Sequence, residues 1–302
     1  MDSSSPHLPQ DLERLVFEMV ALEAGSDIKS IAKLLPVAKR VCEWIRPILY
    51  NVFLLFKTPR FPAGFPNFVE APDLLDDVGR FAKHLFIRTP TDFETVNRLL
   101  SSCPNVQNIA IWCGSSQYAM NFFLPALCCL PLKRLSSYIN HPGLENFNPK
   151  MFSNLTHLDI VSYDGIWKES IMQLLANFPK LTHLALPSTI DMDTVGITLR
   201  NSLHLRIVIL IAEEYGKYSD EEEFTEVDDQ RLILMISDDY YDLERNWENG
   251  ARGGVDFWID GERFSIARRA KFLLDASQRW IHIPFPWHEE LNDQGKEWYS
   301  GL

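Results

Sequence analysis

The sequence has no apolar run that approaches the ~20 residues of a membrane-spanning helix, which excludes a helical membrane protein. Its first residues, Met1 to Pro6, contain neither a basic stretch nor an apolar core, so we expect no signal peptide. Lysine and arginine are not clustered, and the formal net charge is −12. Because a nucleic-acid surface requires clustered basic side chains, neither a nucleic acid nor a membrane is an expected partner.

Cysteine is scarce, and its five residues are an odd number: Cys42, Cys103, Cys113, Cys128 and Cys129. They lie within apolar runs and lack the C-x-x-C spacing of zinc sites and redox centres. We therefore expect buried, reduced thiols and a cytoplasmic and/or nuclear location, because disulfides persist mainly in oxidising compartments.

Motifs for catalysis are also missing. The sequence contains no Gly-x-Ser-x-Gly elbow, no glycine-rich phosphate loop and no His-Glu-x-x-His pattern. Gly253-Gly254 indicates a turn, and Asp238-Asp239 is more typical of a solvated strand end than of a magnesium site. We predict that the protein is not an enzyme and has neither catalytic residues nor a cofactor.

What the sequence does contain is a repeat. The stretch Leu155 to Ile160, LTHLDI, returns as LTHLAL at Leu181 to Leu186. The same pattern, apolar-x-x-apolar-x-apolar, begins at positions 82, 106, 132 and 205, so successive copies are 23 to 26 residues apart, with short helical patterns between them. Repeats of roughly 20–29 residues with this strand consensus are typical of leucine-rich repeats. We predict an α/β fold, a solenoid whose parallel strands form the concave face and whose helices form the outer layer.

Alternate residues of a strand point to opposite faces. If Leu158 and its equivalents point inward, their neighbours form columns on the concave face, on strands ~4.8 Å apart. We predict that this face binds a target protein through nine of these residues: His84, Phe86, Arg88, Trp112, Arg134, Tyr138, His157, Asp159 and His183. The alternative is a face shielded by the acidic stretch or by the C-terminal tail.

His157, His183 and Asp159 are also a possible zinc set, because two imidazoles and a carboxylate are suitable ligands. The histidines belong to a repeated Thr-His-Leu motif, however, and the repetition explains them without a metal. No metal site is therefore predicted.

Composition divides the chain into four parts. Residues 1–50 predict a helical module, and residues 51–80, rich in proline and aromatic residues, predict an irregular linker. Residues 81–237 contain the repeats, with a solvated acidic loop expected at 213–230. Residues 238–302 predict a region that caps the end of the array, including a helix over 262–278 with Phe264, Leu273 and Leu274 facing inward.

The first part contains three apolar stripes at helical spacing. The first follows Leu8-Pro9 and comprises Leu12, Leu15, Val16, Met19 and Val20. The second runs from Ile28 to Leu35, and the third, after Pro36, includes Val37, Val41 and Trp44. A unit of this size is too small to be stable alone, so we expect it to lean on a partner or on the rest of the chain.

These residues resemble an F-box. The matching stretches are Leu8-Pro9-x-x-Leu12-x-x-Leu15-Val16-Phe17 and Val37-Ala38-Lys39-Arg40-Val41-x-x-Trp44. The whole layout is similar to the F-box-like proteins with degenerate leucine-rich repeats of mushroom-forming fungi. The resemblance implies a three-helix module that docks on the Skp-type adaptor of a cullin–RING ubiquitin ligase. The residues that would divide between the core of this module and the adaptor groove are Leu8, Pro9, Leu12, Leu15, Val16, Val37, Val41 and Trp44.

The box-like module and the repeats together predict a substrate-recognition subunit. It would recruit a target protein to the ubiquitin ligase, and other subunits would perform the chemistry. The alternative is a repeat-type protein-binding scaffold, in which the box-like module only caps the N-terminal edge of the array.

Overall fold

The structure, a computed structural model, describes residues 8–55, 72–88, 93–112, 119–138, 152–161, 175, 178–212, 227–237, 240–283 and 286–302. These residues form a mixed α/β fold around one nine-stranded sheet. The strands lie in the sheet in the same order as in the chain, and every neighbouring pair is parallel. This confirms the predicted α/β class and the parallel sheet.

The strands are β1 (Val52–Leu55), β2 (His84–Arg88), β3 (Asn108–Trp112), β4 (Arg134–Ser137), β5 (His157–Ile160), β6 (His183–Pro187), β7 (Ile207–Ala212), β8 (Leu232–Ser237) and β9 (Trp280–Ile283). The described helices are α1 (Gln10–Glu23), α2 (Ile28–Ala32), α3 (Lys39–Leu49), α4 (Pro72–Phe81), α5 (Phe93–Ser102), α6 (Ala119–Leu127), α7 (Met192–Asn201), α8 (Tyr240–Ala251), α9 (Phe257–Ala270) and α10 (Asp293–Ser300), with a 3-10 helix at Trp287–Glu290. None of the helices in the described part of the chain is long and apolar enough to cross a bilayer.

One face of the sheet, here the back face, packs against helices α4 to α7. Leu85, Ile109, Leu158, Leu184 and Val208 are fully buried there, together with helix residues such as Val96 and Leu199. The helices approach the sheet layer closely: a side chain at Gly79 of α4 would lie 2.3 Å from the carbonyl oxygen of Ser102. The back face is therefore the main hydrophobic core, as expected for leucines that recur once per repeat.

The opposite face, here the front face, packs against α8, α9, the 3-10 helix and α10. Phe86 and Trp112 contact this layer at one end, and Ile207, Ile209 and Met235 at the other. Helix α9 lies so close to β7 that a side chain at Gly261 would lie 2.9 Å from the Cδ1 of Ile209. Both faces of the sheet are thus covered, which is the usual state of parallel sheets.

The predicted columns of strand neighbours are confirmed. His84, Asn108, Arg134, His157, His183 and Ile207 lie side by side on β2 to β7, and so do Phe86, Ala110, Ser136, Asp159, Ala185 and Ile209. The strand expected at 231–236 is β8, and its Leu232 pairs with Val208, a step of 24 residues rather than the 26 assumed from the sequence pattern. Both columns lie on the front face.

The predicted linker at 51–80 is wrong for its described residues. Residues 52–55 are β1, an edge strand with all four side chains buried, and residues 72–81 are the three-turn helix α4. A four-residue apolar run next to a proline-rich stretch carries too little periodicity to be recognised as a strand. Residues 56–71 of this linker, and residues 213–226 of the acidic loop, lie outside the described residues, as does most of the helical pattern after Glu169.

The C-terminal region differs from the predicted cap. It adds β9 to the end of the sheet, but its helices lie over the front face rather than over the end. Helix α9 begins five residues earlier than expected, because Asp256 caps it by accepting a hydrogen bond from the Ile259 amide at 3.0 Å. It ends at Lys271, which has a left-handed conformation (φ 59°), so Leu274 is exposed rather than inward.

Candidate functional surfaces

The N-terminal unit, α1 to α3, has a small hydrophobic core of its own. Ala21, Ile28, Ile31, Val41 and Ile45 are buried within it. Asp27 caps α2 by accepting hydrogen bonds from the amide and the hydroxyl of Ser30, at 3.2 and 2.6 Å. Helices α1 and α3 are also joined by a bidentate ion pair between Arg40 and Glu13, with N–O distances of 2.7 and 2.9 Å. The three predicted helices are therefore present and pack together.

The apolar stripe of α1 does not enter this core. The exposed fractions of Leu12, Leu15, Val16, Met19 and Val20 are 46–51%, so the stripe remains at the surface. Leu8, Leu22 and Val37 extend the same apolar character, with exposed fractions of 53, 62 and 57%. This set of eight side chains is called the α1 patch below. A contiguous apolar patch on a small unit is typical of a protein-binding surface.

The eight residues predicted to bind an adaptor divide as the sequence suggested. Leu8, Pro9, Leu12, Leu15, Val16 and Val37 are exposed, whereas Val41 is fully buried in the core of the unit. Trp44 is half-buried and packs against that core. Whether they bind an adaptor stays a prediction, but six of them are accessible to a partner.

The nine residues predicted to bind a target all belong to the front face, where the C-terminal helices lie over them. Phe86 is fully buried and contacts Trp247 of α8 edge-on, with ring centroids 5.2 Å apart. Trp112, Asp159 and His183 are also buried, and Arg88, Tyr138, His84, Arg134 and His157 are half-buried. The alternative of a face shielded by the C-terminal tail is therefore confirmed, and target binding through these residues stays a prediction.

Two arginines of the front face form ion pairs with the covering helices. Arg88 pairs with Glu244 of α8, which is almost fully buried. Arg134 donates to Asp256 at 2.6 Å, so this aspartate caps α9 and holds it on β4 at the same time. A buried charge that loses its partner is costly, so both pairs fix the position of the covering helices.

A buried polar chain runs across β3, β4 and β5 on the front face. The indole N–H of Trp112 donates to the hydroxyl of Ser136 at 2.7 Å, and this hydroxyl donates to Oδ2 of Asp159 at 2.5 Å. Burial raises the pKa of Asp159 to about 7, an effect that the Ser136 hydrogen bond only partly offsets. Oδ1 of Asp159 is buried and accepts no hydrogen bond from the described residues; it lines a cavity of about 10 Å³, room for about one water molecule.

His157 and His183 stack on each other beneath α9. Their ring centroids are 3.9 Å apart and their planes differ by 13°, and the edge of the Trp258 ring faces both. The preceding threonine of each repeat positions its histidine: the Thr156 and Thr182 hydroxyls lie 2.8 and 2.7 Å from Nδ1 of His157 and His183. Nε2 of His183 lies 3.0 Å from Oε1 of Glu262 in α9. The repeated Thr-His dipeptide thus builds a stacked pair.

The electrostatic surroundings favour the neutral form of the histidines. Burial lowers the pKa of His157 to about 2, and His183, Arg134 and Arg206 lower it further. Burial also lowers the pKa of His183, although Glu262 opposes the effect, and it lowers the pKa of His84 to about 4. The described residues contain no group of three or more His, Cys, Asp or Glu side chains that could hold a metal ion, so the zinc alternative has no structural support.

The residues that complete the front face were not recognised in the sequence. Trp247, Asp256, Trp258 and Glu262 lie 60 or more residues beyond the strands β2 to β6 that they contact or approach. Their only local signal was an aspartate three residues before the amide that it caps, followed by two aromatic residues. Such a signal predicts where a helix begins but not which surface it covers.

Comparison with known proteins adds no name to these surfaces. No protein-family model matches the chain, and no curated protein matches it.

Proposed function

We propose that this protein is an F-box-like substrate receptor, which docks through its N-terminal unit on a Skp-type adaptor and recruits a target protein to a cullin–RING ubiquitin ligase. The observation that carries the proposal is the α1 patch, eight apolar side chains about half exposed on a three-helix unit. The protein itself would perform no chemistry.

The geometry of the patch suits a helix that inserts into an apolar groove. Leu12, Leu15, Val16 and Met19 occupy positions i, i+3, i+4 and i+7 of α1, the spacing of anchor residues in that mode of recognition. Burial of apolar surface stabilises a complex by about 25 cal/mol per Å², and side chains of this size contribute most of it. The exposed lysines and arginines near Val37, namely Lys33, Lys39 and Arg40, favour a partner whose groove has an acidic rim.

One observation favours the alternative, in which the unit is a structural cap. Helix α3 runs directly into the edge strand β1, and Tyr50 packs against both the core of the unit and the core of the sheet. Arg46 of α3 also lies 3.6 Å from Asp77 of α4. Contacts of this kind let the unit protect the edge of the sheet, whether or not an adaptor binds.

The direct test is binding of a purified Skp-type adaptor to the full-length chain, measured by isothermal titration calorimetry. We expect binding, and we expect Leu15→Asp with Met19→Asp to weaken it at least 100-fold, because two carboxylates would be buried in an apolar groove. The matched control is Leu203→Asp, an equally drastic change at a leucine that is 83% exposed far from the patch in sequence. No binding by the unchanged chain, or equal binding by the patch variant, would refute the proposal.

The alternative makes its own prediction about a fragment that begins at residue 51. If the unit is only a cap, this fragment unfolds or aggregates, because β1 and Tyr50 lose their cover, while the patch variant of the full-length chain stays as stable as the unchanged protein. If the fragment folds and loses only adaptor binding, the cap is dispensable. Circular dichroism and light scattering separate these outcomes.

A further inference from the structure

The two ends of α9 are held on the front face by different chemistry. Near its C-terminal end, Phe264 and Ala267 are fully buried, and Gly261 allows close approach to Ile207, Ile209 and Ile233. Near its N-terminal end the contacts are polar: Asp256 with Arg134, Glu262 with His183, and Trp258 against the stacked histidines. Only the second set contains groups that titrate between pH 5 and 8.

A proton on the histidine pair would meet mostly positive charge. The groups that face the pair are Arg134 and Arg206 from the neighbouring strands and Glu262 from α9, with Asp256 on Arg134 and Asp159 further along β5. Glu262 lies within hydrogen-bonding distance of His183 and also pairs with Arg206, at 2.9 Å. The charges that act on His157 come from His183, Arg134 and Arg206, and all of them oppose its protonation.

The neutral pair has a consistent hydrogen-bond arrangement. If the Nε2–H of His183 donates to Glu262, Nδ1 is an acceptor, and it faces the hydroxyl of Thr182 at 2.7 Å. A second proton on His183 would sit on Nδ1 and displace this hydroxyl donor. The stacking distance of 3.9 Å also leaves two protonated rings in direct repulsion.

We infer that the contact between the N-terminal half of α9 and strands β4 to β6 is an acid-sensitive latch. Below about pH 6 the stacked histidines gain protons only when this half of α9 leaves the strands, while the apolar half stays docked on β7 and β8. Acid therefore opens the front face locally, at the part where Arg134, His157 and Asp159 lie. The inference does not depend on adaptor binding.

The size of the effect follows from linkage between proton binding and opening. A histidine that regains its ordinary pKa of about 6.5 in the open state shifts the opening equilibrium about 30-fold between pH 8 and pH 5, so two histidines shift it about 1,000-fold. Asp159 acts in the opposite direction, because its buried carboxyl holds a proton below about pH 7 and releases it on opening. That carboxyl reduces the shift about 100-fold, which leaves a net opening of about 10-fold.

The opposing carboxyl provides a sharp test by hydrogen exchange of the full-length chain at pH 8 and pH 5, with rates corrected for the intrinsic pH dependence. In the unchanged protein we expect opening over residues 256–262 to increase about 10-fold at pH 5, and opening over residues 264–270 to stay constant. Asp159→Asn removes the opposing proton and should raise the increase to about 1,000-fold, whereas His157→Gln should abolish it. His204→Gln, at an exposed histidine, is the matched control and should behave like the unchanged protein.

Each result bears on the latch. Opposite shifts for Asp159→Asn and His157→Gln, two changes on one strand, would establish it, because a general loss of stability moves both in the same direction. The same acid response in His157→Gln and in the unchanged chain would overturn it. An acid response that spans 256–270 uniformly would overturn it too, since the whole helix would then leave as one unit. Circular dichroism at pH 8 verifies that each variant is folded, and Asp159→Asn carries the test should His157→Gln not fold.

Discussion

The α1 patch and the front face of the sheet are both built from regularly spaced side chains, yet they differ in what lies over them. The patch has no covering element among the described residues, and its leucines and valines are about half exposed. The front face is covered by α8, α9 and the 3-10 helix, with Trp247, Trp258, Phe264 and Trp287 buried against it. The comparison shows that a surface suited to recognition can be satisfied within the chain, and that only the patch offers its apolar area to another molecule.

The comparison predicts a large difference in stability between equivalent truncations. Phe264→Ala removes a fully buried ring between α9 and the sheet, and should lower the free energy of unfolding by about 3–5 kcal/mol. Leu15→Ala, in the α1 patch, should change it by less than about 0.5 kcal/mol, because the side chain is half exposed already. Urea denaturation of both variants measures this directly. Equal losses would mean that the patch is covered in the free protein.

Removing the aspartate that caps α9 should have the next largest effect. Asp256→Ala loses the helix cap and leaves Arg134 without its partner, so we expect a loss of about 2–3 kcal/mol. Asp27→Ala, which removes the equivalent cap of α2 in the exposed N-terminal unit, should cost clearly less, since its loss involves no described ion pair across two elements. Chemical denaturation of the pair, at pH 7 and constant salt, separates the cap from the ion pair.

The two regions should also respond to acid in different pH ranges. Burial lowers the pKa of His84 to about 4, so its stabilising contribution is complete above about pH 6.5 and falls as pH decreases, by about 2 kcal/mol at pH 5. His84→Gln should remove that part of the pH dependence. In the N-terminal unit the Ser30 hydrogen bonds lower the pKa of Asp27, so its contribution is present above its ordinary pKa of 3.8 and is lost only in more acidic solution. Denaturation curves at pH 8, 6, 5 and 3.5 distinguish the two ranges.

The smallest effect is expected for a surface ion pair of α1. Arg14 lies 2.7 Å from Glu18, one turn further along the helix, and both side chains contact solvent. Glu18→Gln should lower stability by no more than about 0.5 kcal/mol, and less at high salt. A loss above 1.5 kcal/mol in thermal denaturation would show that this face of α1 is packed rather than exposed.

Much of the sheet was predictable because its signal is local and repeated. The return of Leu155 to Ile160 at Leu181 to Leu186 predicted two strands, and the constant spacing predicted that His157 and His183 are neighbours, as they are. The apolar stripe of α1 was equally clear, because residues three and four positions apart share one face of a helix. Edge strand β1 was missed, since four apolar residues outside the repeats give no periodicity to count.

The sequence by itself determined the helices of the N-terminal unit, the order and register of strands β2 to β7, and which side chains face the same side of the sheet. Only the tertiary structure decided that α8 and α9 fold back over the front face, that Asp256 and Glu262 meet Arg134 and His183, and that the α1 patch stays exposed. The physical reason is that periodicity reports contacts within one element or between consecutive repeats. The choice of which apolar surface a distant helix covers depends on the packing of side chains that are far apart in the chain, and no short pattern encodes that choice.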